Sequence, residues 1–214
     1  MPKSLTQKID AILPQTQCQR CGFEACLPYA KAIADGLAPI NRCPPGGQRG
    51  VEQLAALAGL PVIALDPDCG EPGPHRKALV IEQDCIGCTK CIVACPVDAI
   101  IGAPKRMHTV IAELCSGCEL CVPACPVDCI QMQEDSTFPQ WTFSDMQRAR
   151  DRYRARGQRL ERERELERLR LERKAISKPA SVEENPASDS QRKRALIQAA
   201  IRKARDQLAK DRAQ

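Results

Sequence analysis

The hydrophobic pattern of the first sixty residues predicts short amphipathic helices. LTQKIDAIL at 5–13 spaces its apolar residues three and four apart and stops at Pro14. VEQLAALAGL at 51–60 has the same spacing and ends at a glycine before Pro61. LPYAKAIADGLA at 27–38 also has a helical pattern. We therefore expect residues 1–60 to form a small helical module.

Short runs of β-type residues occur twice in the next part of the chain. ALVIE at 78–82 and TVIAE at 109–113 each precede a loop, and AIIG at 99–102 and CIQMQ at 129–133 each follow one. The order strand, loop, short helix, strand recurs with a period of 30 residues. We expect 78–135 to be a pseudo-symmetric domain in which each half completes the other.

The remaining segments differ in composition. Residues 61–77 are rich in proline and glycine and are expected to form a linker. Residues 143–176 predict a charged helix with a thin apolar stripe, and 177–190 have the composition of a disordered linker. Residues 191–212 predict an amphipathic helix.

Charge is distributed unevenly between the two parts of the chain. Residues 1–142 hold 11 Lys and Arg against 15 Asp and Glu, whereas 143–214 hold 21 against 12. We expect this basic tail to contact an acidic partner or an anionic membrane surface. Nucleic acid is the less favoured partner, because the tail interleaves acids with its bases and carries just two aromatic residues.

Composition makes the cysteines central to the fold. The chain has fourteen cysteines, and only 3% of its residues are aromatic. A small domain with so few bulky side chains needs disulfides or bound metal for stability. The sequence shows neither a signal peptide nor a membrane-length apolar run, which predicts a cytoplasmic chain, at most peripheral on the inner membrane. Metal or redox chemistry is then favoured over disulfides.

One cysteine motif is written twice, as CIGCTKCIVACPVDAI at 85–100 and CSGCELCVPACPVDCI at 115–130. The spacing C-x2-C-x2-C-x3-C-P is typical of bacterial two-cluster ferredoxins, in which the fourth cysteine ligates the other cluster. Two zinc sites are the alternative, but this spacing fits them poorly. The predicted ligands are Cys85, Cys88, Cys91 and Cys125 for cluster one, and Cys115, Cys118, Cys121 and Cys95 for cluster two.

A second set of cysteines lies upstream, with the spacing C-x2-C-x4-C-x16-C. Four thiolates without histidine suit either zinc or an iron–sulfur cluster. The spacing alone leaves both open. The predicted ligands of this site are Cys18, Cys21, Cys26 and Cys43.

The other candidate residues have simpler expected roles. Cys69 is expected to be an unligated thiol, and Cys129 a small buried side chain in a strand. His75 and His108 are expected to be structural or exposed rather than ligands. Asp98 and Asp128 repeat and are expected to cap local turns. An apolar wrapping is expected to keep water from the clusters, formed by Ile86, Ile92, Val93, Ile100, Ile101, Val122, Val127 and Ile130.

Together these motifs resemble a known family. The runs LPQTQCQRCGFEACLPYAKAI, INRCPPGG, CIGCTKCIVACPVDAIIGAPKRMHTV and LCSGCELCVPACPVDCI are similar to the B subunit of the Rnf (Rsx) electron-transport complex over about residues 5–133. The resemblance implies a [4Fe-4S] cluster on the upstream cysteines and two more in a ferredoxin-like domain, three in all. Members commonly begin with a membrane-spanning helix, and this sequence shows no apolar run of that length.

The sequence therefore predicts an α+β electron carrier: a small helical four-cysteine module, a pseudo-symmetric bacterial two-cluster ferredoxin-like domain, and a charged helical tail. No acid–base pair, nucleophile or small-molecule site stands out. The expected partners are redox protein donors and acceptors and other Rnf-type subunits. The alternatives are an adaptor, or a nucleic-acid-associated protein, whose iron–sulfur or zinc sites are structural.

Overall fold

The computed structural model describes residues 3–134, 141–177, 191 and 193–203. It combines helices with two small antiparallel sheets, in agreement with the predicted mixture of helix and strand. The chain divides into two compact units, Met1–Glu161 and Arg162–Gln214. The first unit contains all fourteen cysteines.

Three helices form an N-terminal lobe: α1 (Leu5–Ile12), α2 (Cys26–Ala34) and α3 (Gly47–Ala58). A capping box at Ser4 starts α1, and Gly59 ends α3 in the left-handed conformation, at φ +68°. Helix α3 begins four residues before the predicted pattern, directly after a 3₁₀ turn. The helices bury a common core of Ile9, Leu13, Tyr29, Ala30, Ile33, Ile40, Val51, Leu54 and Ala55.

The repeated segment folds by exchanging strands. Its elements are β1 (Arg76–Val80), α4 (Lys90–Ala94), β2 (Ile100–Ile101), β3 (Thr109–Val110) and β4 (Ile130–Glu134). Strand β1 pairs antiparallel with β4, and β2 pairs antiparallel with β3. The first strand of each repeat is thus bonded to the last strand of the other. The second repeat has turns at 120–124 where the first has α4, so the short helix predicted twice forms once.

The backbones of the two repeats correspond closely outside the α4 segment. Ile81 donates to the carbonyl oxygen of Cys129 at 2.7 Å, and Ile111, thirty residues on, donates to that of Ala99 at 2.8 Å. Left-handed residues recur with the same spacing at Gly87 and Gly117, Thr89 and Glu119, and Asp98 and Asp128. Differences between the two halves therefore lie mainly in side chains.

Helix α5 (Phe143–Ser177) begins by packing on the N-terminal lobe. Just before it, Trp141 donates its indole N–H to the carbonyl oxygen of Pro14 at 2.7 Å. Arg150 then forms a buried ion pair with Asp10 at 3.0 Å and donates to the Asp10 carbonyl oxygen at 2.6 Å. Because an unpaired buried charge is costly, this contact fixes the helix on the lobe.

The next two turns of α5 pack on the first repeat. Arg152 donates to the carbonyl oxygens of Val97 and Asp98 at 2.7 and 2.8 Å. The Asp98 carboxylate lies 3.3 Å from Arg156 and 3.0 Å from Arg159. Asp98 thus binds α5 in addition to occupying its left-handed turn. The first arginines of the basic tail contact this chain's own acidic groups.

The second unit contains the C-terminal part of α5. Its part of α5 carries exposed ion pairs, such as Arg168 with Glu165 at 2.6 Å and with Glu172 at 2.7 Å. Residues 193–203 are helical, and their apolar side chains are exposed. The predicted linker beyond residue 177 and the end of the predicted helix after 203 lie outside the described residues.

Within the described residues, no helix has both the length and the apolar character needed to cross a bilayer.

The two repeated aspartates provide a matched test of how α5 is held. Asp98→Asn keeps a side chain that tolerates the left-handed conformation but removes the charge facing Arg156 and Arg159. We expect it to weaken docking of α5 by roughly 0.5–1 kcal/mol, as for other part-exposed ion pairs. Hydrogen exchange of the α5 amides at 150–160, followed by mass spectrometry, should become faster.

Asp128→Asn is the control, because Asp128 has the same backbone conformation and no ion-pair partner among the described residues. Exchange in α5 should be unchanged in this variant. Equal acceleration in both variants would show that the carboxylate pairing does not hold the helix.

Candidate metal centres

Three cavities of the first unit are lined by cysteines, two of them by four and the third by five. The space free of protein atoms at the upstream cavity, open solvent included, is about 300 Å³. By the same measure it is about 260 Å³ at the first-repeat cavity and about 300 Å³ at the second-repeat cavity. Their cysteines are Cys18, Cys21, Cys26 and Cys43 (upstream), Cys85, Cys88, Cys91 and Cys125 together with Cys129 (first-repeat), and Cys95, Cys115, Cys118 and Cys121 (second-repeat). The structure thus brings together each predicted set of four.

The two repeat cavities exchange one cysteine each. Cys91 lies within α4 and faces the first-repeat cavity, whereas Cys95 follows the end of α4 and faces the second-repeat cavity. In the second repeat, Cys121 faces the second-repeat cavity and Cys125 faces the first-repeat cavity. The short α4 segment and its counterpart turn therefore each supply sulfur to both cavities.

Backbone amides point at the sulfur atoms. The amide of Ala99 donates to Cys95 Sγ at 3.2 Å, and the amide of His108 donates to Cys85 Sγ at 3.4 Å. Such donors satisfy a metal-bound thiolate and fix its orientation. They arise because the strand that follows or precedes each cysteine loop runs alongside it.

The loop before the upstream cavity has an unusual backbone. Gln15, Gln17 and Gln19 all adopt left-handed φ angles, between 57° and 63°. Each such residue costs on the order of 1–3 kcal/mol unless its surroundings enforce the conformation. The loop beside Cys18 therefore needs contacts that hold it in this conformation.

A chain of buried amides enforces this conformation. Gln15 donates to the Asp10 carboxylate at 2.9 Å, Gln17 donates to the Gln15 amide oxygen at 2.9 Å, and the backbone N–H of Cys26 donates to Gln17 at 2.9 Å. Because Asp10 also binds Arg150, the network runs from α5 to a cavity cysteine. These glutamines were not among the site residues predicted from the sequence. The available signal was QTQCQ, in which glutamine alternates beside the first cysteine.

Burial shifts the ionisation of the cysteines. Desolvation raises the pKa of Cys26, Cys118 and Cys121 to about 12, and it also raises the pKa of Cys43. Without a bound cation these sulfurs are therefore thiols at neutral pH. Metal binding must displace their protons, so loading of the sites should weaken as the pH falls.

The donors fit an iron–sulfur cluster. An all-sulfur set suits zinc or iron–sulfur clusters, and four cysteine thiolates are the usual ligands of [4Fe-4S]. In 3–134, 141–177, 191 and 193–203, no three His, Cys, Asp or Glu side chains form a group that could hold one metal ion. The cysteines are instead arranged around the walls of cavities.

The two extra cysteines have different positions. Cys69 is buried in the 3₁₀ turn Pro67–Cys69, with its Sγ 3.7 Å from Asp66 Oδ2, and it lines none of the three cavities. Cys129 is buried next to β4, as expected, but its Sγ lies 3.4 Å from Cys125 Sγ at the wall of the first-repeat cavity. Cys129 therefore contacts a predicted ligand in addition to filling space beside the strand.

The two histidines also differ. His75 stacks on Trp141 with ring centroids 4.3 Å apart. His108 is 1% exposed, and its Nδ1 lies 3.2 Å from Cys91 Sγ. His108 is therefore a neighbour of the first-repeat cavity that its isolated place in the sequence did not reveal.

The predicted apolar wrapping is wrong for several of its members. Ile100 and Ile130 are buried, but Ile86 is 59% exposed and Val93 is 70% exposed. Val93 lies on α4 and lines none of the three cavities, whereas Ile86 lies on the cysteine loop at the edge of one of them. Ile86 and Val127 line the first-repeat cavity and are exposed, so the wall of this cavity reaches the protein surface.

The upstream and second-repeat cavities are neighbours. Thr16 lines the former and Ser116 the latter, and the Ser116 hydroxyl donates to the Thr16 carbonyl oxygen at 2.9 Å. Beside them, Arg20 and Glu119 form an ion pair at 2.7 Å. The second-repeat cavity thus lies next to both of the others, since it shares the exchanged cysteine segments with the first-repeat cavity.

Two family models match the chain in the regions of these cavities. Residues 78–132 match a "4Fe-4S dicluster domain", and residues 13–45 match a model described as "Putative Fe-S cluster". The first covers both repeats, and the second covers the four upstream cysteines.

Several curated relatives are described as the B subunit of the ion-translocating oxidoreductase complex. The protein from Thiobacillus denitrificans is 62% identical over 99 residues, 46% of this chain and 53% of the relative, and that from Azoarcus sp. is 60% identical over 99 residues, 46% and 54%. The chain thus spans about half the length of these relatives. The protein from Pseudomonas paraeruginosa is 55% identical over 130 residues, 61% of this chain and 68% of the relative. At this identity and coverage, the chain belongs to the family formed by the B subunits of ion-translocating oxidoreductase complexes.

Proposed function

We propose that this chain holds three [4Fe-4S] clusters and passes electrons between them as an iron–sulfur protein. One observation carries the proposal: thirteen of the fourteen cysteines line three cavities, in the three predicted sets of four with Cys129 beside one of them. The proposed ligands are the cysteines of each set of four. Cys125 crosses from the second repeat to the first-repeat site, and Cys95 crosses the other way.

Iron–sulfur chemistry is also the better assignment for the upstream cavity. Its donors are four sulfurs placed around about 300 Å³ of space, and the same arrangement recurs in the two repeats. The left-handed glutamine loop also contacts the site directly, since Gln17 accepts a hydrogen bond from the backbone N–H of Cys26 at 2.9 Å. The match of residues 13–45 to an iron–sulfur model supports the same assignment.

The adjacency of the cavities suggests an order of transfer. The Ser116–Thr16 hydrogen bond joins the upstream and second-repeat cavities, and Cys91 and Cys95 join the two repeat cavities. Electrons would pass between the upstream and first-repeat sites by way of the second-repeat site. The first-repeat site reaches the surface beside exposed Ile86, which suits exchange with a protein partner.

The chain contributes binding, orientation and control of water. The clusters supply one-electron redox chemistry, and the protein sets their potentials and access. Amides such as Ala99 N–H orient the thiolates, while Ile100 and Ile130 exclude water from the cavities.

The family suggests the wider setting. We propose that the chain works with the other proteins of an ion-translocating oxidoreductase complex, on the cytoplasmic side of the membrane that holds it. Redox proteins would act as its donors and acceptors. Support comes from the description shared by the curated relatives, about half of whose length this chain spans in the first two cases.

Metal analysis of anaerobically purified protein tests the cluster assignment. Three cubes predict about twelve irons and twelve sulfides per chain. About eight irons with one zinc would show that the upstream site binds zinc instead. Addition of dithionite should bleach the visible absorption reversibly. Iron-loaded protein whose absorption does not change would favour a structural role over electron transfer.

Cys125→Ser tests the exchange of ligands between repeats. Because Cys125 lines the first-repeat cavity, we expect iron to fall from about twelve toward about eight per chain, with the loss confined to one cluster. Cys69→Ser is the matched control, since Cys69 is equally buried but lies outside all three cavities. Equal losses in both variants would indicate general destabilisation instead of ligand loss.

A further inference from the structure

The near-identity of the two repeat backbones makes their side-chain differences informative. Equivalent residues are 30 positions apart, and the hydrogen bonds at Ile81 and Ile111 agree within 0.1 Å. Two pseudo-symmetric sites on such a scaffold would be expected to behave alike. A side chain that contacts a sulfur in one site and is missing from the other breaks this equivalence.

His108 is such a side chain. Its counterpart in the other half is Ala78, thirty residues earlier. The backbone amide has the same role at both positions: that of His108 donates to Cys85, and that of Ala78 bonds to Cys115. The side chains differ, because the imidazole of His108 reaches Cys91 Sγ at 3.2 Å whereas Ala78 ends in a methyl group.

The space for the ring is built into the paired strand. Opposite Ala78 lies Met132, and the residue equivalent to Met132 is Gly102, beside His108. A Cβ placed on Gly102 would lie only 2.3 Å from His108 Cδ2. The first-repeat site therefore pairs a histidine with a glycine, where the second-repeat site pairs an alanine with a methionine. In one pair the larger side chain is Met132, on β4, and in the other it is His108, directly before β3. The position of His108 places its imidazole next to Cys91 Sγ.

The direction of the hydrogen bond follows from the chemistry of its partners. A cluster-bound thiolate has no proton and can only accept. His108 Nδ1 must therefore carry the hydrogen. The other ring nitrogen, Nε2, is buried and has no hydrogen-bond partner among the described residues. Among those residues, the imidazole therefore makes a single hydrogen bond, to Cys91 Sγ.

A second difference affects the same cavity. Cys129 stands where the first repeat has Ala99, and its Sγ lies 3.4 Å from Cys125 Sγ. With Cys125 bound to iron as a thiolate, the Cys129 thiol is the partner that can donate. Both extra donors thus face ligands of the first-repeat site.

We infer that His108, aided by Cys129, makes the two repeat sites inequivalent and gives the first-repeat cluster the higher reduction potential, an inference that rests on the proposed function. Reduction adds one electron, and hence one negative charge, to the cluster and its thiolates. A hydrogen bond to sulfur stabilises that added charge, so it raises the potential. The second-repeat site lacks both donors.

This difference gives the proposed relay a direction. Electrons that enter at the upstream site and pass the second-repeat site move to higher potential at the first-repeat site. That site is also the one whose wall includes exposed Ile86 and Val127. The class of partner it suits is therefore a redox protein that accepts electrons at this surface.

The test is a redox titration of the full chain, purified without oxygen and followed by EPR. His108→Ala removes the donor and should lower one of three midpoint potentials while the other two stay in place. His108→Asn places an amide N–H close to the position of Nδ1 and should restore most of the shift. Cys129→Ala should move the same midpoint in the same direction.

Iron content separates failure of this inference from failure of the proposed function. If the parent chain lacks about twelve irons per chain, the three-cluster assignment itself is wrong. If His108→Ala keeps all its iron and no midpoint moves, His108 does not set the potential. If it loses one cluster, or if His108→Asn shifts the midpoint as far as His108→Ala, the residue supports the fold of the site and the inference is overturned.

Discussion

The fold depends on sulfur atoms that no single segment of the chain can bring together. Cys95 faces a cavity whose other cysteines belong to the second repeat, and Cys125 faces the cavity of the first. Around these cavities the core consists of small and medium side chains, with alanine, valine and isoleucine prominent. Burial also keeps several of the sulfurs protonated in the absence of a cation. Binding energy at the cavities is therefore also folding energy for the segments around them.

In the N-terminal lobe, too, contacts between distant residues position the cysteines. Its cysteine loop adopts a costly left-handed backbone, and buried glutamines anchored on Asp10 enforce it. Arg150 of α5 binds the same aspartate, while Arg152 and Arg156 bind the first repeat. The start of the basic helix thus spans both parts of the first unit. The positive charges of Arg150, Arg152 and Arg156 therefore make contacts within the first unit.

Cysteine spacing was the most informative part of the sequence, because ligand geometry allows few alternatives. It grouped the cysteines in the three sets of four that the structure brings together at the cavities, with Cys95 and Cys125 exchanged, but it did not indicate Cys129 at the first-repeat cavity. That these cysteines ligate clusters stays a prediction. Helical periodicity located α1 and α2, although α3 begins earlier because a 3₁₀ turn leads directly into it. Both the class of the structure and its family could therefore be predicted.

Contacts between distant side chains could not be predicted in this way. Nothing local marks Asp98 as a partner of Arg156, or Gly102 as the space for His108, because each pair depends on strand and helix packing. The apolar wrapping was wrong for a related reason. A residue near a cysteine can point toward a cavity or away from it: Ile100 and Ile130 are buried in cavity walls, whereas Val93 is exposed and lines none of the three.

The strand exchange between the repeats also bears on how such a protein could have arisen. A polypeptide with one repeat would have its first strand unpaired and only three of the four cysteines needed for its cavity. A second identical copy, related by a two-fold axis, would supply the missing strand and the missing sulfur to each. Joining two such copies in tandem converts an intermolecular symmetry into an internal one. Each half is then free to diverge, as His108 and Ala78 have done.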